Sequence, residues 1–125
     1  MINADKNNRP LDLSYLRDMS GDSAEFMIEM IEMFEKQTPI YLLELEQAIA
    51  AENWKATYEH AHKIKPTFFY VGREDVRDHM QEMENNAREL KNIETLPAAL
   101  QEVKSFVGIL YQQLEDAKAK LLQGS

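Results

Sequence analysis

The sequence predicts an all-α protein, an antiparallel up-down four-helix bundle with a short extra N-terminal helix. Three observations carry this. Glycine and proline number only four each in 125 residues, so long stretches hold nothing that breaks a helix. Apolar residues recur three and four apart, the spacing of one helix face, and no stretch alternates like a half-buried strand. The breaks between periodic segments are short, which makes consecutive helices antiparallel neighbours. The length suits one core, read as an arm at 1–10 and a bundle domain at 11–122.

Each element follows from local signals. Residues 1–10 end at Pro10 and read as a frayed arm. Leu11–Met19 reads as a short helix with Leu13 and Leu16 inward, broken by Ser20-Gly21-Asp22. Asp22 is expected to cap a long second helix, with Glu25 as the reciprocal partner of a capping box. Its stripe reads Phe26, Met30, Met33/Phe34, Tyr41, Leu45 and Ala48/Ile49. Pro39 lies inside, lacks a backbone donor, and is expected to bend this helix or split it after Thr38.

Asn53 caps the next helix, Trp54–Tyr70, and Gly72 is its left-handed stop. Glu74–Lys91 follows, through Val76, Met80, Met83, Ala87 and Leu90. Thr95 is expected to cap the last helix, Leu96–Leu122, with Pro97 in the tolerant first turn. Its stripe is Leu100, Val103, Phe106/Val107, Leu110, Leu114, Ala117 and Leu121. Met27, Met30, Met33, Met80 and Met83 read as fillers of core gaps.

Composition narrows function. With no cysteine there is no disulfide, thiolate nucleophile or Cys–His pair. A net charge of −8, from 22 acids and 14 bases, opposes non-specific binding to nucleic acid or anionic membrane. Yet Lys55, Lys63, Lys65 and Arg73 gather around His62 in sequence, while acids dominate 22–52 and 75–94. A basic spot on an acidic body fits a small anionic site. No glycine-rich phosphate loop and no Gly-x-Ser-x-Gly occurs, so nucleotide binding and self-sufficient kinase activity lack support. No secretory h-region opens the chain and no apolar run is long enough for a bilayer, so a cytoplasmic location is expected.

The chemistry concentrates in one helical turn, Ala61-His62-Lys63-Ile64-Lys65-Pro66-Thr67. At about 100° per residue, Thr57, Ala61, Ile64, Phe68 and Val71 fall opposite His62 and form the core face. Lys55, Tyr58, Lys65, Pro66 and Phe69 share the outward face of His62. An imidazole beside a fixed ammonium suits phosphoryl acceptance: the nitrogen attacks and the cation balances charge on the oxygens. Tyr58, Pro66 and Phe69 around it read as a docking surface, with Lys55 and Lys63 adding longer-range attraction. His60 lies near the core face, and His79 reads as a surface pair with Asp75. Glu59 and His62 have the Glu-x-x-His spacing of di-iron bundles, but no second copy occurs and His62 faces outward, so no metal site is expected.

His62-Lys63-Ile64-Lys65-Pro66-Thr67, with Gly72 ten residues after the histidine, resembles the signature of histidine phosphotransfer (HPt) domains, roughly His-x-(Leu/Ile)-Lys-Gly-(Ser/Ala). The likeness extends over about 11–120, through Leu16, Gly21-Asp22, Phe26, Phe34, Leu45, Ala48 and Met83-Glu84-Asn85-Asn86-Ala87. The resemblance implies that His62 is phosphorylated, that Lys65 stabilises the phosphoryl charge and that Gly72 closes the motif. It implies a phosphocarrier with no cofactor of its own, working with response-regulator receiver domains that bind Mg²⁺ and with sensor or hybrid histidine kinases, and a monomer by default. The Met1 start favours a free protein over a piece of a hybrid kinase.

One departure from the family pattern is Pro66 in place of glycine, whose ring clashes with the carbonyl of His62 and is expected to bend the helix and tilt His62 outward. Phe68, Phe69 and Tyr70 are bulkier than the small residues common there; Phe68 fills core and Phe69 flanks the site. The alternative function is a non-catalytic helical adaptor that binds a signalling partner through the exposed Tyr58/Phe69 face.

Overall fold

The computed structural model describes residues 2–124. Five α-helices follow in order: α1 (Ser14–Ser20), α2 (Ala24–Ala50), α3 (Trp54–Tyr70), α4 (Glu74–Glu89) and α5 (Leu96–Gly124). Single 3₁₀ turns occupy Ala4–Asn8 and Ile93–Thr95. No strand occurs among the described residues. Helices α2 to α5 pack in a ring: each lies against its neighbour in sequence, and α2 closes the ring against α5. This is the predicted four-helix bundle with a short N-terminal helix. None of the described helices is long and apolar enough to cross a membrane.

The core runs along the bundle axis. Phe68 of α3 is wholly buried between Phe34 of α2 and Phe106 of α5, with ring centroids 5.8 and 6.4 Å away. Thr57, Ala61, Ile64, Phe68 and Val71 are all buried, as helical periodicity requires of the face opposite His62. Burial of each large apolar side chain contributes roughly 1.5–3 kcal/mol, so this face fixes the rotation of α3. Asn53 caps α3 as expected, its side chain accepting from the Ala56 amide at 3.1 Å.

Several local expectations are corrected. Ser23, not Asp22, caps α2, accepting from the Phe26 amide at 3.2 Å; Asp22 sits in the left-handed region at φ 67° and cannot take that role. The stripe of α2 is correspondingly Met27, Ile31, Phe34, Thr38, Leu42 and Leu45, while Phe26 and Met33 lie exposed. Phe26/Met27, Met30/Ile31 and Met33/Phe34 are adjacent apolar pairs, so spacing alone does not choose between the two faces. Helix α2 is not split at Pro39, whose missing donor leaves only the Glu35 carbonyl without its helical partner. Helix α4 ends at Glu89, because Leu90 is exposed and takes a left-handed cap at φ 55°. Thr95 ends a 3₁₀ turn, its hydroxyl donating to the Asn92 carbonyl at 2.6 Å.

Residues 3–9 are pinned, not frayed. Arg73, buried just after α3, donates to the Asn7 side chain at 2.9 Å and to the Asn3 carbonyl at 3.2 Å. Gln113 of α5 donates to the carbonyls of Lys6 and Arg9, both at 2.9 Å. The guanidinium is balanced by Asp75 at 2.9 Å and lies 4.4 Å from the Phe106 ring centroid.

Candidate functional site

His62 stands midway along α3 with its side chain 64% exposed. The buried face of α3 holds it there, and the helix runs unbroken through Pro66. Beside it lies Glu84 of α4, a carboxylate only 2% exposed. The Nδ1 atom of His62 is 3.2 Å from Glu84 Oε2 and 3.3 Å from Oε1. Lys65 Nζ is 2.8 Å from Glu84 Oε1, and Arg88 Nη2 is 2.6 Å from Oε2. Lys65 also donates to Gln81 Oε1, and its side chain is only 16% exposed.

One buried carboxylate therefore gathers an imidazole, an ammonium and a guanidinium. Burial opposes the charge on Glu84, but the Lys65 hydrogen bond and charge, joined by His62 and Arg88, outweigh it and hold the carboxyl below its ordinary value of 4.5. A carboxylate can only accept hydrogen bonds, so the proton in the contact to His62 belongs to Nδ1. That tautomer leaves the lone pair on Nε2, the ring atom directed away from Glu84.

The structure brings Lys65 to His62, as the three-residue spacing predicts, but through Glu84. Tyr58, Pro66 and Phe69 are half-buried on the same face, and Lys55 is exposed. The two rings are partly roofed by α4: the Arg88 guanidinium lies 5.2 Å from the Tyr58 centroid, and that of Arg77 lies 5.2 Å from the Phe69 centroid. Lys63 Nζ lies 4.4 Å from the ring centroid of Tyr41 on α2. Tyr15 of α1 meets Phe69 edge-on at 5.2 Å and stacks on Tyr70 at 5.0 Å.

Gly72 takes φ +83°, and a Cβ there would run into the backbone of Asp12. It is required twice, for its left-handed conformation and for the close approach of the segment leading into α1.

Sequence reasoning gave no role at the site to Glu84, Arg77 or Arg88. Glu84 had a legible signal: it falls four residues after Met80 and three before Ala87, a charge on an apolar stripe, which a buried helix face keeps only if it is paired. His79 shares that stripe. It is buried and not a surface partner of Asp75: Nε2 is 2.9 Å from the Ala99 carbonyl, which makes it the donor, and Nδ1 is 3.7 Å from Glu102. His60 is half-buried on the side of α3 away from His62. Among the described residues no three histidine or acidic side chains converge as a metal ion would need.

Comparison with known proteins identifies the family and the fold. The family model described as "Hpt domain" matches residues 29–122, a span holding His62, Lys65, Gly72, Glu84 and Arg88. The solved HPT domain from the Hpt sensor hybrid histidine kinase from Shewanella superposes with a TM-score of 0.60 over 90% of this chain and 91% of that one. The two share 17% identity, so this likeness concerns the fold alone. No match is found among curated proteins. With three quarters of its length under that model and the same bundle in the solved relative, the chain belongs to the Hpt domain family.

Proposed function

We propose that this chain relays a phosphoryl group between aspartates of response-regulator receiver domains, carrying it on Nε2 of His62. The observation that carries the reading is the contact between Nδ1 and buried Glu84, which leaves the nucleophilic lone pair on the outer nitrogen of an exposed ring. Nε2 attacks the phosphorus of an aspartyl phosphate in line. The N–P bond forms as the P–O bond to the aspartyl carboxylate breaks, and the carboxylate leaves with the electron pair. The Nδ1 proton stays in place, shared with Glu84, so no proton has to leave the site and the step reverses readily.

Phosphoryl transfer of this kind needs positioning and charge stabilisation more than acid–base chemistry. Glu84 positions His62. Lys65, with Arg88 beside it, supplies positive charge that the phosphoryl oxygens compete for with Glu84. Lys55, Tyr58, Lys63, Pro66 and Phe69 form the docking surface. Mg²⁺ belongs to the receiver, which supplies most of the catalysis, so the chain acts as a phosphocarrier and not as an autonomous enzyme. A histidine kinase loads the pathway, and a cytoplasmic monomer suffices for the role.

The test is incubation with a phosphorylated receiver domain and Mg²⁺. The wild type is expected to acquire an acid-labile, alkali-stable phosphate, and His62→Gln none. Labelling of His62→Gln contradicts the assignment. Receiver binding without phosphate on either chain favours the adaptor reading.

A further inference from the structure

The structure carries a charge pattern around His62 that neither the motif nor the transfer chemistry requires. Three cations of the rim come from three directions. Lys63 reaches toward α2 and sits over the Tyr41 ring. Arg77 reaches from α4 over Phe69, near the C-terminal end of α3. Lys55 stands exposed in the first turn of α3, on the face of His62. A cation over an aromatic ring gains roughly 0.5–1 kcal/mol at an exposed site, enough to favour one position of a long side chain. Two of the three rim cations are thus pre-positioned, at little further cost in side-chain entropy on binding.

The face also carries Lys65 and Arg88 beside buried Glu84, with Glu59 on α3 and Asp78 paired to Arg77 at 3.1 Å. Cations outnumber carboxylates here, while the whole chain has 14 bases and 22 acids. A face richer in cations than the rest of an acidic chain directs an encounter: the net charge of the chain disfavours an acidic partner, and this face offsets that repulsion locally.

Resting on the phosphocarrier reading, we infer that Lys55, Lys63 and Arg77 select among receiver domains, favouring those whose phosphorylated aspartate is ringed by exposed acidic residues. The rim acts on encounter and not on transfer: charges at an interface edge change the association rate and its salt dependence more than the chemistry that follows. Nucleic acid is the disfavoured occupant, because a backbone that extends past the patch meets the acidic body.

The experiment measures association rates by stopped flow for two receiver domains, one with an acidic ring around its aspartate and one with a neutral ring. The wild type is compared with the triple variant Lys55→Gln/Lys63→Gln/Arg77→Gln and with the charge-conserving Lys55→Arg/Lys63→Arg/Arg77→Lys. In about 30 mM salt the acidic receiver is expected to associate faster, and the glutamine variant to slow it by about tenfold. The arginine/lysine exchange retains the rate, and the difference closes in about 500 mM salt, where exposed charges are screened. Equal rates for both receivers, or no salt dependence, overturn the inference. So does binding of a DNA duplex as tight as that of the acidic receiver. Labelling of His62 is read in parallel, so a failed rim and a failed phosphocarrier give different results.

Discussion

Replacing Glu84 with glutamine removes the charge at the centre of the site and keeps its shape. Three partners lose an ionic contact. Arg88 is half exposed and four residues along the same helix, so its pair contributes only about 0.3–0.5 kcal/mol. His62 is largely exposed and water replaces the contact. Lys65 decides the outcome: its ammonium is mostly buried and keeps only neutral acceptors, the amide oxygens of Gln81 and of the introduced glutamine. Loss of a charge-assisted bond at such a site costs about 1.5–3 kcal/mol. The expected destabilisation of Glu84→Gln is therefore about 2–3 kcal/mol at neutral pH, a fall in Tm of about 6–12 °C for a domain of this size.

The pH dependence has a definite sign. The folded carboxyl titrates below the unfolded value of 4.5, so its contribution is fully present above 4.5 and is lost as pH falls through the lower folded value. Urea unfolding followed by circular dichroism, at neutral pH and in steps below 4.5, measures it. Wild type and variant are expected to differ at neutral pH and to converge in acid. Equal stability at neutral pH, or a gap that persists unchanged in acid, refutes the reasoning.

Three further outcomes follow from the same structure. Gly72→Ala places a Cβ at φ +83° against the Asp12 backbone and is expected to cost about 2–4 kcal/mol, read by denaturant titration; a neutral result removes the close approach from the account. Lys65→Ala is expected to slow phosphate acceptance about tenfold or more while leaving the far-ultraviolet spectrum of a helical bundle; an unchanged rate takes Lys65 out of the mechanism. Arg73→Leu strips the buried anchor from residues 3–9 and leaves Asp75 without its guanidinium, for an expected loss of about 2–4 kcal/mol with faster amide exchange at the N-terminus; slow exchange there shows that Asp75, which accepts from the Asn3 amide, and Gln113 hold the segment without Arg73.

Much of this molecule is legible from the chain. The bounds of α3 follow from Asn53 and the apolar face opposite His62, and the exposure of His62 follows from the same periodicity. What is hard to read is whatever depends on a second element. On α2, adjacent apolar pairs leave the burial stripe open until α3 and α5 pack against it. Arg73 has no periodicity, because it lies between helices and is buried by residues far away in sequence. Arg77 and Arg88 sit on polar positions of α4, and only the α3–α4 packing puts them over Phe69 and Tyr58. Glu84 was legible in principle: a carboxylate on an apolar stripe needs partners, and His62, Lys65 and Arg88 are those partners.

The proposed transfer depends on which nitrogen of His62 is free. Imidazole ¹⁵N NMR of the chain, before and after incubation with a phosphorylated receiver domain, reads it directly. The unphosphorylated His62 ring is expected to carry its proton on Nδ1, and the phosphorus coupling then to appear on Nε2 of this residue. A proton on Nε2 beforehand, or phosphorus bonded to Nδ1 or to a different histidine, contradicts it.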